Sequence, residues 1–318
     1  MPTVTVIIPI LNAMPYLPEA LASLEAQTFR DFEVCVWDNG STDGSAEEAL
    51  RWIPHRLPGR VVSGNPLPLH ECLARMVVEA KTEFVARMDG DDVCFPERFQ
   101  LQINFLLKNR EIRLVGGQIE CIDRSGAALP KEAWAEYPLD SHEIISRMMI
   151  LCPFNHPSIL FSRNAVLETG NYKIPAPVED LDLYFGMVKK HQLSNLREVV
   201  TKYRIHPSSI CAQAGKSGTH NLLALDVVAR HSKEVFGIEE KVYRRLRDKT
   251  HPFCFLPLAL GAVQRAEKER VPWIDIVSSR CFLYSARCMA SPFDYASKAI
   301  FRFLSLAGKN LAKPCALC

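Results

Sequence analysis

Thr3-Val4-Thr5-Val6-Ile7-Ile8-Pro9-Ile10 is nearly all apolar and rich in β-branched side chains. Branched Cβ atoms crowd a helix but sit well on a pleated strand. A run with no polar alternation predicts a strand covered on both faces, as inside a parallel sheet. The segments after it alternate. Residues 15–28 carry Leu17, Ala20, Leu21 and Leu24 at helical spacing, and 32–37 form a second buried strand. Residues 45–52 read as a helix, 60–63 as a short strand, 69–80 as a helix and 84–88 as a strand. This order specifies an α/β fold with a mostly parallel sheet flanked by helices.

Further on, a helix over 97–108, a strand over 113–122, a helix over 141–150 and a strand over 158–162 are expected. A helix over 180–191 and a strand over 199–205 follow, and from about Lys216 the pattern turns to long helices. The chain therefore divides into an α/β domain, 1–215, with two successive parts, 1–125 and 126–215, and a helical C-terminal region, 216–318.

Bulk composition excludes some classes. A formal charge of +2 over 318 residues lacks the concentrated basic face of a nucleic-acid binder, so no nucleic acid is expected as partner. No basic-then-apolar leader opens the sequence, and the longest apolar run, 253–263, is broken by Pro257 and Gly261. A cytoplasmic location is expected. The 11 cysteines lie in apolar segments and read as reduced core thiols, with Cys315 and Cys318 as a frayed tail.

Ligands in such sheets collect at the carboxyl ends of the strands. Two polar clusters stand there: Asp38-Asn39-Gly40-Ser41-Thr42-Asp43-Gly44 and Asp89-Gly90-Asp91-Asp92. In the second, Asp89 and Asp91 point the same way if the segment is extended, and Gly90 lets backbone or ligand come close. Carboxylates this crowded repel unless a cation relieves them. A hard divalent ion with oxygen ligands, Mn²⁺ or Mg²⁺ bridging to phosphates, is the natural partner. The competing reading is a solvated acidic turn.

At these residues the sequence resembles a family-2 glycosyltransferase with a GT-A fold. The matching segments are VTVIIPILN, FRDFEVCVWDNGSTDGS, ARMDGDD with FPERF, NHPSILFSRNAVLETGNY, VEDLDLYF and YRIHPSSI, in that order. The resemblance implies inverting transfer of a sugar from a nucleoside-diphosphate donor, with UDP favoured, to an acceptor hydroxyl. Pro9, Ile10 and Leu11 should line the nucleobase pocket. Asp38, Asn39 and Ser41 should hold base and ribose, while Asp43 reads as a cap of the helix near Ser45. Asp89 should reach ribose and metal beside Gly90, Asp91 should be the main metal ligand, and His206 should lie near the diphosphate or its metal. Asp180 should be the general base, with Asp182 competing for that role. Glu179 and His156 stand on the acceptor side, with a helix N-terminal pair and a structural imidazole as their plainer readings.

The sequence departs from the family in having Leu11 where Tyr is common, Ala74 where Asn is usual and Thr82 where Gly is usual. These changes bear on the donor pocket, not on the reaction. Residues 293–314 carry Lys298, Arg302, Lys309 and Lys313 among Phe301, Phe303, Leu304 and Leu306. Such a basic amphipathic helix suits peripheral contact with a membrane bearing a lipid-linked acceptor, or packing on the catalytic domain. A sugar-nucleotide pyrophosphorylase or a dehydrogenase would need a glycine-rich phosphate loop after the first strand, and Pro9-Ile10-Leu11-Asn12-Ala13 is not one. A nucleotide-sugar-binding module without catalysis is the non-enzymatic alternative.

Overall fold

The computed structural model of the chain describes residues 2–130, 136–149, 152–210, 212–213 and 219–246. Its strands are β1 (Val4–Ile10), β2 (Phe32–Asp38), β3 (Gly59–Ser63), β4 (Phe84–Arg87), β5 (Val93–Cys94), β6 (Ile112–Ile122), β7 (Leu160–Ser162) and β8 (Gln192–Arg204). Its helices are α1 (Leu17–Glu25), α2 (Ser45–Trp52), α3 (Leu69–Glu79), α4 (Arg98–Lys108), α5 (Ser141–Met148), α6 (Arg163–Glu168), α7 (Glu179–Val188), α8 (Thr219–Phe236) and α9 (Glu240–Leu246). The chain divides into two compact units, Met1–Ser141 with Pro153–Asn221, and His142–Cys152 with Leu222–Cys318. The segment 142–152 thus groups with the C-terminal unit, a long-range association that sequence order does not display.

The described strands of the first unit form one sheet in the order β3-β2-β1-β4-β7-β6-β8-β5. Its β3-β2-β1-β4 side is wholly parallel. The other side is mixed: β7 runs antiparallel to β4 and β6, β8 runs parallel to β6, and β5 runs antiparallel to β8. β1 is buried along nearly its whole length, as its lack of alternation requires. α1 turns Leu17, Ala20, Leu21 and Leu24 onto it, and these pack with Val6, Ile8 and Val36 in the core.

Register carries three loops to one edge. Ile10 pairs with Asp38 and Ile7 with Arg87, so the segments after β1, β2 and β4 emerge side by side. β8 starts at Gln192, not near residue 199, because pairing with β6 extends it through register shifts. Its far end meets β5, with Val93 opposite Lys202. This two-residue strand has no hydrophobic run to announce it, yet it fastens the acidic loop to the end of β8. In the second unit, the Tyr243 hydroxyl donates to the Met149 carbonyl, and Arg244 pairs with Asp226 and Glu240. Among the described residues no helix is long and apolar enough to cross a membrane. The basic segment 293–314, Cys315 and Cys318 lie outside the described residues.

Gly59 opens β3 at φ 144°, and a Cβ there would stand 1.9 Å from the Val34 carbonyl oxygen. A backbone oxygen has no rotamer by which to yield. Gly59→Ala should cost at least ~3 kcal/mol, read as a lower urea midpoint with unchanged slope.

Candidate active site

The loops after β1 and β2 are laced together by short polar side chains. Asn12, in the left-handed region at φ 53°, accepts the Thr42 N–H on Oδ1, and its own N–H donates to Ser41 Oγ. Asp43 accepts N–H groups from Met14 and Ser45, and the Ser45 hydroxyl, so it closes the turn and the start of α2. Asp38 is buried and accepts the Ser41 N–H at 3.1 Å. Asn39 uses both ends of its amide on Leu67, donating to the carbonyl and accepting from the N–H at 2.8 Å each. It thereby fixes the loop between β3 and α3. Leu11, at the mouth of this crevice, is 58% exposed, while Ile10 is buried and Pro9 half-buried.

Beside them stands the acidic loop. Oxygens of Asp89, Asp91 and Asp92 lie within 4.8 Å of one another. Gly90 sits against β1: a Cβ there would meet Ile10 Cγ2 at 2.9 Å and the Ala13 Cβ at 3.2 Å. His206, brought in by β8, places Nε2 2.7 Å from Asp91 Oδ2, and its Nδ1 is 2.8 Å from Ser208 Oγ. Carboxylates plus one imidazole make a donor set suited to Mn²⁺ or Mg²⁺. Asp92 is almost fully buried, accepts the Arg204 N–H on Oδ1, and leaves Oδ2 without a partner among the described residues. Burial, then Asp91 and Asp89, push its carboxyl well above the usual range. Such a group is relieved by a proton or a cation.

Three buried arginines support this loop, and none was singled out from the sequence. Arg87 reaches Asp89 at 2.6 Å; burial opposes its charge most, but Asp89, Tyr172 and Asp92 together hold it above its ordinary value. Arg98 donates to the carbonyls of Arg87 and Ile159. Arg204 donates to the Asp91 carbonyl. The available signal was a guanidinium inside an apolar strand, as in Val85-Ala86-Arg87-Met88, since an arginine is rarely buried without a partner.

On the other side of Arg87 lie the residues before and at the start of α7. The His156 Nε2 is 2.8 Å from the Tyr172 hydroxyl, and its Nδ1 is 4.0 Å from Glu179 Oε1. Burial and Arg87 hold the His156 imidazole well below its ordinary value, which favours its neutral form. Glu179 is buried, with Oε2 unpartnered among the described residues; burial and Asp180 push it up to about 8. Asp180 is half-buried and accepts the Leu181 N–H, whereas Asp182 is buried. Burial raises the Tyr172 hydroxyl well above its ordinary value, with Arg87 opposing and Glu179, Asp180 and Asp89 adding to the rise.

A carboxyl raised in the native state keeps its proton where the unfolded chain has lost it. Glu179 therefore costs stability as pH rises from the ordinary carboxyl value of 4.5 to about 8, and nothing further above that. Glu179→Gln should remove this slope, with the variant's melting temperature exceeding the parent's at pH 8 and the gap closing toward pH 4.5.

The sequence model described as Glycosyl transferase family 2 matches residues 5–170, over half of the chain. The amylovoran biosynthesis glycosyltransferase AmsE of Erwinia amylovora is 31% identical over 191 residues, 59% of this chain and 70% of its own. The O-antigen biosynthesis glycosyltransferase WbnJ of Escherichia coli is 28% identical over 215 residues, 65% of this chain and 81% of its own. Among solved structures, S. aureus TarS 1–349 in complex with UDP-GlcNAc superposes with TM-score 0.55 at 16% identity, covering 98% of this chain and 92% of that one. Mannosyltransferase PcManGT from Pyrobaculum calidifontis, in complex with GDP-Man and Mn²⁺, gives TM-score 0.57 at 18% identity, covering 96% and 87%. The likenesses to solved structures bear on the fold alone, a GT-A-type sheet flanked by helices. With the family's sequence pattern running through β1, the acidic loop and the His156 segment, the chain belongs to glycosyltransferase family 2.

Proposed function

We propose that this glycosyltransferase transfers a sugar from a UDP-sugar to a hydroxyl of a saccharide acceptor, inverting the anomeric carbon, in the synthesis of a surface polysaccharide or glycolipid. The observation that carries the reading is His206 against Asp91 at 2.7 Å, with Asp89 alongside. The names of AmsE and WbnJ support a polysaccharide product, and the UDP-GlcNAc held by TarS supports the donor class.

In this reading Pro9, Ile10 and Leu11 contact the base, and Asp38 and Ser41 face the ribose. Asn39 also faces the base or ribose, and its amide fixes the Leu67 backbone. Asp91, Asp89 and His206 would hold Mn²⁺ or Mg²⁺, which when bound supplies positive charge to the departing diphosphate. Asp180 accepts the proton of the acceptor hydroxyl as its oxygen bonds to the anomeric carbon, and the bond from that carbon to the diphosphate breaks. A single displacement inverts configuration. Asp180 is preferred to Asp182 because Asp182 is buried. The acceptor is a free or a lipid-linked saccharide, and in the second case the basic residues of 293–314 would bring the enzyme to the membrane surface.

Asp180→Asn should lower kcat by about 10²–10⁴-fold while leaving calorimetric binding of UDP-sugar with Mn²⁺ unchanged. Near-parental turnover would remove Asp180 from the base role. Asp91→Asn should abolish Mn²⁺-linked uptake of the donor. In liposome flotation, a chain ending before Phe293 should lose the membrane association of the full chain; equal behaviour counts against the lipid-side reading.

A further inference from the structure

We infer that Arg204 is a positioning residue that sets the spacing between the Asp91 carboxylate and the His206 imidazole, acting through the Asp91 backbone on one side and the Tyr16 ring on the other. This rests on the reading of Asp91 and His206 as ligands of a divalent cation. Arg204 ends β8 and is 2% exposed. Its N–H donates to Asp92 Oδ1 at 2.8 Å, Nε donates to the Asp91 carbonyl at 2.8 Å, and Nη1 donates to the Asp123 carbonyl at 3.1 Å. Nη2 pairs with Glu19 on α1, and the guanidinium lies 4.7 Å from the centre of the Tyr16 ring.

Tyr16 passes the constraint on. Its ring lies 5.2 Å from that of His206, tilted by 39°, while Ser208 holds the imidazole Nδ1 from the other side. The imidazole is thus held between Tyr16 and Ser208, with Nε2 aimed at Asp91. The other ligand stands on the loop whose carbonyl Arg204 grips. One planar cation thereby references both donors to the start of α1 and the end of β6. Lysine would keep the charge but not a rigid fork serving acceptors in different directions. Groups behind metal ligands typically carry about 10–100-fold of the affinity.

The test titrates Mn²⁺ alone into the full chain and into Arg204→Lys, Tyr16→Leu, Glu19→Gln and Asp91→Asn, reading free Mn²⁺ by electron paramagnetic resonance. Arg204→Lys should bind at least about tenfold more weakly than the parent, and Tyr16→Leu and Glu19→Gln each about threefold more weakly. In transfer assays the affected variants should regain parental kcat as Mn²⁺ is raised, so the defect falls on the metal constant. A merely structural arginine would instead lower the melting temperature and kcat with the Mn²⁺ affinity intact. Should Arg204→Lys not fold, Glu19→Gln and Tyr16→Leu decide, because Glu19 is exposed and Tyr16 half-buried. Parental affinity in the Tyr16 and Glu19 variants, with Asp91→Asn losing the metal, overturns the inference alone. No Mn²⁺ uptake by the parent overturns the ligand reading with it.

Discussion

Charge repulsion at the end of β4 is the constraint to which the rest of the site answers. Asp89, Asp91 and Asp92 are held closer than free carboxylates would settle, and two of them sit in surroundings that penalise charge. The protein balances this from within. Arg87 lies behind Asp89, Arg204 grips the loop's backbone, and His206 meets Asp91. A buried cation beside a carboxylate holds it in place more than it strengthens the fold, since desolvation offsets most of the attraction. The loop's shape is therefore set by the protein's own groups, which is the arrangement that electrostatic catalysis needs.

The sheet explains why these groups meet although they come from distant parts of the chain. Parallel pairing on the β3-β2-β1-β4 side aligns strand ends, so the crevice walls follow from register. The mixed side then folds β8 back beside β6, and the β5–β8 bridge brings residues near 204 against residues near 92. Fold and site are thus coupled through a pairing only two residues long.

Much of this was legible in sequence because it is written locally. The unbroken apolar run of β1, the spacing of Leu17, Leu21 and Leu24, and the acidic residues after a strand each have a short-range physical signature. The family pattern added the order of the segments and hence the fold. The beginning of β8 was not legible, since Gln192-Leu193-Ser194-Asn195 has no strand-like pattern and is extended only by pairing with β6. The roles of Arg98 and Arg204 were hidden for the same reason. Each donates to two backbone carbonyls, which every residue has and no sequence singles out. The Glu179–His156 approach likewise joins residues whose meeting depends on how α7 docks.

Asn39 shows how such hidden wiring affects the interpretation of variants. Because its amide clasps the main chain at Leu67, replacing it unties a hinge point on the crevice wall before it subtracts anything from a nucleotide. A weakened affinity in that variant would report a wall that has moved. Separating displacement from lost recognition there calls for comparing several bases: a moved wall penalises all of them, whereas a lost recognition contact singles out one.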